Sequence, residues 1–454
     1  MKPQVVIPPA DDSRLAAVFK AYDVRGLTPE ELDEPTARSL GAAFANFTKA
    51  DAVVVGRDMR ISGEGLSAAF SEGVVSQGTD VRDVGLASTD LVYFASGYLQ
   101  VPAVMLTASH NPASYNGMKF CHSGARAIGA DTGLDEIRQL AARPARSAAA
   151  AGSIKQIHLL DKFVEHVHSF IDIDALRPLK IVADTANGMG GLILPAAFKE
   201  LPFELEILYE DLDGTFPNHP ADPLQPENLV DLQNRVIESN ADVGLAFDGD
   251  ADRVFLVDEK ANLVSGSITT ALVASAILES EGPGPILHNL ICSRATVEAI
   301  EESGGEPIRT RVGHSYIKAV MAETGAMFGG EHSGHYYFAR NYGADSGLIA
   351  ALIVLERLSL DRSQLSSLLA PLQRYTSSGE VNAVVDSTDD AIEKVSDFFS
   401  DQQQDRLDGL TVECGDWWFN LRPSNTEPLL RLNVEGPDEK HVEDRVEQIL
   451  NLFS

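Results

Sequence analysis

Three aspartates stand at alternate positions in Asp248-Gly249-Asp250-Ala251-Asp252-Arg253, directly after the apolar run Val243 to Phe247. In extended backbone alternate side chains point to one side, and an all-oxygen donor set of this kind suits Mg²⁺. An EF-hand is excluded because Arg253 occupies the sixth place counted from Asp248, where a turn glycine is needed, and Val254-Phe255-Leu256-Val257 reads as a strand. The alternative is an acidic surface loop, but crowding like charges without a cation is costly. A second loop, Thr107-Ala108-Ser109-His110-Asn111-Pro112, follows the apolar run Val101 to Leu106. Turn-forming residues after a buried strand hold a serine out of the core. The Gly-x-Ser-x-Gly of a hydrolase elbow is missing. That leaves a structural turn hydroxyl or a serine that carries a phosphoryl group with cationic and metal partners.

Three further segments bear polar chemistry. Gly330-Glu331-His332-Ser333-Gly334-His335 offers a carboxylate and a hydroxyl that suit sugar hydroxyls. A polar glycine turn or a zinc site are the alternatives, although the two histidines have no partner motif. Arg422-Pro423-Ser424-Asn425-Thr426-Glu427-Pro428, with Arg431 close behind, combines a guanidinium, hydroxyls, an amide and loop N–H groups into a phosphate cradle, or else a solvated loop. No Gly-Lys dipeptide occurs, so a Walker A loop is excluded. In Lys20-Ala21-Tyr22-Asp23-Val24-Arg25-Gly26, Tyr22 and Arg25 could face an anion.

These loops need strands and helices to place them. Short apolar runs at Ala52 to Val55, Val101 to Leu106, Ile181 to Ala183, Val243 to Phe247 and Ile286 to Leu290 alternate with helical patterns. That alternation reads as α/β architecture with functional loops at strand ends. Ala141 to Gly152 reads as a helix end and linker, and Gly347 to Leu355 as a buried helix. Strands at Val381 to Val385, Gly409 to Cys414 and Leu429 to Val434 suggest a small α+β module at the C-terminal end. The expected division is 1–150, 151–255, 256–370 and 371–454.

Composition limits the partners. Hydrophobic residues at 44% and charged residues at 23% fit an ordinary globular protein. A net charge of -31 argues against nucleic acid or anionic lipid, which require a basic face. Cys121, Cys292 and Cys414 are isolated, so neither a disulfide framework nor a Cys-x-x-Cys metal site is available, and a reducing cytoplasm is expected. No apolar stretch is long enough to span a membrane.

In this order and at these separations the segments resemble the α-D-phosphohexomutase superfamily, in its phosphomannomutase/phosphoglucomutase branch, along essentially the whole chain. The resemblance is carried by Tyr22-Asp23-Val24-Arg25-Gly26, Gly56-Arg57-Asp58-Met59-Arg60, the serine loop, Asn116-Gly117-Met118-Lys119, the aspartate loop, Gly313-His314, Glu331 to His335 and Arg422 to Pro428. It implies three related α/β domains with mixed sheets and a smaller C-terminal α+β domain, arranged around a central cleft. It further implies that Ser109 carries the phosphoryl group and, with Asp248, Asp250 and Asp252, holds Mg²⁺. Lys119, Arg253 and His314 would line the reaction centre, with Lys119 or His314 as acid or base, and His110 and Arg25 beside them. Glu331 and Ser333 would take sugar hydroxyls, while Arg422, Ser424, Asn425, Thr426 and Arg431 would hold the distal phosphate. Tyr22 and His335 would complete the substrate site. The implied activity is interconversion of mannose 1-phosphate and mannose 6-phosphate, with glucose phosphates as a second pair, through phosphoserine and a hexose 1,6-bisphosphate that also serves as activator. The implied partners are hexose phosphates, and the chain would act as a monomer or dimer. The rivals are a phosphatase, a non-catalytic sugar-phosphate sensor and a phosphoglucosamine mutase; the last is disfavoured by His332, where those enzymes tend to carry Gln.

Overall fold

The run at 52–57 forms a strand because it is covered on both sides: Val53, Val54 and Val55 have no exposed surface, as in parallel strands between helical layers. In the computed structural model, which describes residues 6–424 and 429–453, it is the centre of the first sheet. The strand order there is Val24–Leu27, Tyr115–His122, Ala103–Leu106, Ala52–Arg57, Asp80–Leu86 and Ile154–Gln156. Ala52–Arg57 runs parallel to Asp80–Leu86 and to Ala103–Leu106, and the sheet turns antiparallel from Ala103–Leu106 to Tyr115–His122. Helices Glu34–Thr48 and Gly63–Ser76 cover one face, sealing a core with Phe44, Phe70 and Phe120. The first of them starts where sequence chemistry demands, with Asp33 accepting the Thr36 N–H and proline in the first turn.

The second sheet repeats this plan. Its order is Glu204–Leu208, Lys180–Asp184, Val243–Phe247, Val254–Asp258 and Leu263–Val264, parallel over the first three strands and antiparallel thereafter. In both sheets the chemistry-bearing loop is the hairpin that joins the last parallel strand to the first antiparallel one: 107–114 in the first, 248–253 in the second. The division expected at 255 cuts through this sheet. Strand Val254–Asp258 depends on Val243–Phe247 for its backbone partners, so the second domain runs to Val264.

Contacts group the chain into two compact units, residues 1–264 with 333–366, and residues 265–332 with 367–454. In the first unit, the helix expected around Gly347 to Leu355 spans Gly347–Asp361, and residues 347–355 are all buried. In the second unit, Pro285–Asn289 pairs in parallel with Glu306–Thr310 and Phe328–Gly330. The C-terminal module is an antiparallel sheet in the order Thr376–Val384, Leu429–Gly436, Trp418–Pro423, Leu410–Glu413, Gln403–Asp405. Its central strand, Trp418–Pro423, is not visible in the sequence because Asn420 and Arg422 occupy alternate positions that normally face water. Both are buried instead, and Asn420 donates to the Asp408 carbonyl and to Thr411. Arg422 therefore sits on a strand, and not in the loop where the sequence pattern puts it. Among the described residues no helix is long and apolar enough to cross a membrane.

Candidate active site

The first unit brings the serine and aspartate loops into contact. Ser109 follows the strand Ala103–Leu106 and takes φ +49°, a conformation uncommon for a non-glycine residue. Its N–H donates to Thr107 Oγ1 at 2.9 Å, and its Oγ donates to Asp248 Oδ2 at 2.6 Å. Arg253 Nη2 lies 3.4 Å from the same Oγ, and His110 Nδ1 also lies at 3.4 Å. The two loops meet backbone to backbone. A Cβ placed on Gly249 would stand 2.6 Å from the Ser109 carbonyl oxygen, so glycine is the residue that permits this approach.

The three aspartates are buried, and one oxygen from each lies within 4.8 Å of the others. Asp248 Oδ2 also accepts from Arg253 Nε at 2.9 Å. Lys119 Nζ bridges Asp250 Oδ2 at 2.8 Å and Asp252 Oδ2 at 2.6 Å. The Oδ1 atoms of Asp250 and Asp252 are buried with no hydrogen-bond partner. Three carboxylates against the cations Lys119 and Arg253 leave a net negative charge in a water-poor cluster. Unsatisfied carboxylate oxygens are costly in such a place, and a hard dication is what they fit.

The electrostatics sort the candidate acids and bases. Burial, with Asp250 and Asp252 adding repulsion, pushes the Asp248 carboxyl up in spite of Arg253. Burial would raise Asp250 too, but Lys119, Thr89 and Arg253 hold it well below the usual carboxylate range. Burial alone would depress Lys119, yet Asp250 and Asp252 hold its ammonium well above the ordinary lysine value. Lys119 thus offsets part of the aspartates' charge. Burial, reinforced by Arg253 and Arg25, pushes His110 well below the usual imidazole value, leaving a neutral ring beside Ser109.

Sequence reasoning missed several residues around this cluster. Thr89 donates from Oγ1 to Asp250 Oδ2 at 2.6 Å and from its N–H to the Asp250 carbonyl at 3.0 Å. It opens the helix Thr89–Leu99, capped by Ser88, so the sequence marks it as a helix start and says nothing of a carboxylate from a distant loop. Asp90 accepts from Ser88 and, at 2.7 Å, from Ser346, the cap of Gly347–Asp361; burial pushes its carboxyl up to about 7. His335, expected with the substrate-binding residues, has Nδ1 at 2.9 Å from Asp345 Oδ2 and 3.8 Å from Asp252 Oδ1. Its ring is thus tied to the aspartate cluster by two carboxylates, one of which, Asp345, the sequence does not single out. Arg25 donates to Asn111 Oδ1 at 2.7 Å and to Asp23 at 2.5 Å, which anchors it to the serine loop, and Tyr22 lies in the bend just before it. If Asp250 is a ligand to a divalent cation, Thr89→Val should weaken Mg²⁺ binding by about tenfold, because a ligand that loses its supporting hydrogen bond is less well oriented. Titration calorimetry checks this, and an unchanged dissociation constant would remove Thr89 from the metal site.

In the second unit, Glu331 is buried, and its Oε1 accepts from the Gly313 N–H at 3.1 Å and from Asn289 Nδ2 at 3.4 Å. Arg422 donates to Glu380 Oε2 at 3.0 Å, and Arg431 lies 3.4 Å from Glu380 Oε1. One carboxylate thus spaces two guanidiniums, a partner that no local motif reveals. The Ser424 N–H donates to the Leu429 carbonyl. Asn425 and Thr426 lie outside the described residues, as does the side chain of His314, whose backbone opens the helix His314–Thr324. Ser333 is half-buried and falls in the first unit.

Models of the phosphoglucomutase/phosphomannomutase family match in chain order: alpha/beta/alpha domain I over 16–147, domain II over 161–262, domain III over 265–375 and the C-terminal domain over 380–452. A phosphomannomutase from Salmonella montevideo is 40% identical over 449 residues, covering 96% of this chain and 98% of the relative. Proteins named phosphohexose mutases from Xanthomonas campestris pv. campestris are 41% identical over 443 residues, with the same coverage. A crystal structure of a phosphoglucomutase/phosphomannomutase family protein from Burkholderia thailandensis superimposes with a TM-score of 0.87 at 35% identity, covering 96% of this chain and 97% of that one. The chain belongs to the phosphoglucomutase/phosphomannomutase family.

Proposed function

We infer that this protein is a phosphohexomutase that interconverts mannose 1-phosphate and mannose 6-phosphate, with glucose 1-phosphate and glucose 6-phosphate as a second pair. The observation that carries the reading is the Ser109 hydroxyl, held 2.6 Å from Asp248 in a buried cluster where Asp250 Oδ1 and Asp252 Oδ1 lack partners. Near-complete alignment with phosphomannomutases supports the sugar assignment. Ser109 in its phosphorylated form is the resting donor. Its Oγ–P bond breaks as a new O–P bond forms to the free hydroxyl of the sugar monophosphate, giving a 1,6-bisphosphate. The bisphosphate turns end for end, and its other phosphoryl group returns to Ser109. A phosphoserine adds about -1.5 to -2 charges; Arg253, Lys119 and Mg²⁺ held by Asp248, Asp250, Asp252 and the serine oxygen are suited to offset them. Bound there, Mg²⁺ supplies charge stabilisation to the transferring group. The His110 ring lies 3.4 Å from the Ser109 Oγ and is suited to carry a proton there, with Lys119 and His314 as further candidates for acid or base. Alignment and electrostatics dominate phosphoryl transfer, so charges fixed by neighbouring loops are adequate catalysts. Glu331 and Ser333 are proposed as sugar contacts, and Arg422, Ser424, Asn425, Thr426 and Arg431 as the distal phosphate site. The free thiols of Cys121, Cys292 and Cys414 support a cytoplasmic setting.

The turning intermediate makes a testable demand on the sugar. When the bisphosphate flips, O3 and O4 roughly exchange places, so a loop at Glu331 can grip both orientations only if the two hydroxyls are alike. Both are equatorial in mannose and glucose, which differ at C2. The O4 of galactose is axial and leaves a loop group unpaired in either pose. With saturating Mg²⁺ and trace bisphosphate, kcat/KM should be measurable for mannose and glucose 1-phosphates and at least about 100-fold lower for galactose 1-phosphate. Comparable galactose turnover would show that specificity is read elsewhere, and absence of mannose activity would overturn the mannose assignment.

A further inference from the structure

Arg60 has no exposed side-chain surface and serves no group that the proposed mechanism uses directly. A guanidinium carries five N–H bonds, and here each has an acceptor. Nε donates to Asp58 Oδ2 at 3.2 Å. Nη1 donates to the carbonyls of Pro112 at 2.8 Å and Tyr115 at 2.9 Å. Nη2 donates to the carbonyls of Ser109 at 2.8 Å and Asn111 at 2.6 Å. Four of the five acceptors are thus backbone oxygens, three in the serine loop and one, Tyr115, at the start of the strand that follows it. Pro112 also accepts the Tyr115 N–H, and buried carbonyls need partners. Asp58 in turn accepts the Arg60 N–H at 3.0 Å, which fixes the base of the side chain. From the opposite side the Phe216 ring lies 5.2 Å from the guanidinium carbon, and a Cβ on Gly214 would come within 2.6 Å of Arg60 Cα. The second domain therefore closes over Arg60 and leaves it no alternative position.

The Ser109 carbonyl gripped by Nη2 is also the atom on which Gly249 rests. One guanidinium thereby maintains the left-handed backbone of Ser109 and its spacing from the aspartate loop. We propose that Arg60 is a positioning residue for phosphoryl transfer: its planar fork sets the Ser109 loop so that Oγ stays aligned with the aspartate cluster. The proposal rests on the reading of Ser109 as the phosphoryl carrier. Lysine cannot replace the fork, since its ammonium is a point charge with three tetrahedral donors.

The test compares wild type, Arg60→Lys and Arg60→Ala in three measurements: thermal unfolding, kcat and KM for mannose 1-phosphate, and the rate of phosphate incorporation into dephosphorylated enzyme from glucose 1,6-bisphosphate, followed by intact mass. Arg60→Lys should unfold in one cooperative transition and keep KM within about threefold, while kcat and the incorporation rate fall together by about 50-fold or more, the scale expected when reacting atoms are misplaced by a fraction of an ångström. Arg60→Ala removes the guanidinium donors from four carbonyls, so if it fails to fold the decision rests on the lysine variant. A lysine variant with wild-type kcat, a loss carried by KM alone, a loss no larger than its unfolded fraction, or a lysine variant that does not fold would each overturn the proposal. Wild type that never carries phosphate on Ser109 overturns the reading of the serine instead, and the two failures are told apart by the wild-type mass.

Discussion

Ser109→Ala should abolish mutase turnover while leaving sugar-phosphate binding measurable. The hydroxyl is the atom that donates to Asp248 at 2.6 Å and faces the Arg253 guanidinium. Removing Oγ leaves the Asp248–Arg253 pair and the Lys119 bridge intact, so the pocket retains its charges. The loss in kcat should be on the order of 10⁴-fold or more, as for other covalent carriers whose nucleophile is deleted. A coupled assay reads the rate. Intact mass should show one phosphate on active wild type and none on the variant, and a variant that retains full activity would sink the phosphoserine mechanism.

Asp250→Asn should cost nearly as much, by a different route. Asp250 spends one oxygen on Thr89 and Lys119 and keeps the other buried and unpaired. An amide presents an NH₂ group either to the Lys119 ammonium or to the metal position, and both encounters are repulsive. It also removes one of three negative charges from the cluster. Mg²⁺ affinity should fall by about 100-fold, or roughly 3 kcal/mol, with activity falling in step. Chelator should stop the wild type and Mg²⁺ restore it. Calorimetry that gives the same Mg²⁺ affinity for both proteins, or wild-type activity that survives exhaustive chelation, would exclude the aspartate loop as the metal site.

What the sequence discloses depends on how local the cause is. The alternation of apolar runs and helices predicts the α/β sheets, and Val243–Phe247 is recovered to the residue because a strand buried on both sides is a pure apolar run. Trp418–Pro423 is not, because Asn420 and Arg422 break the pattern and are satisfied by groups distant in sequence. The same contrast governs the site. Asp248, Asp250 and Asp252 announce themselves by spacing within six residues. Thr89 and Glu380 act on partners 161 and 42 residues away, Asp345 on His335 across a strand ten residues distant, and nothing in their immediate surroundings sets them apart. Arg60 is an intermediate case: its motif is visible from the resemblance, but its task appears only when the four carbonyls around it are in place.

The hairpins at the change from parallel to antiparallel pairing show how such a protein could have arisen. The serine loop and the aspartate loop occupy the same slot of two sheets with the same strand plan, and residues 331–335 likewise follow a parallel strand, Phe328–Gly330, and precede the strand Tyr336–Phe338. A gene segment copied in tandem would place one variable hairpin per copy in equivalent positions, so each could diverge in chemistry while the supporting strands stayed under a common packing constraint. Division of labour then requires no new scaffold. On the proposed roles, nucleophile, cation ligands and sugar contacts become alternative fillings of one inherited socket, and changes confined to a hairpin of about half a dozen residues can alter the chemistry while the core is kept.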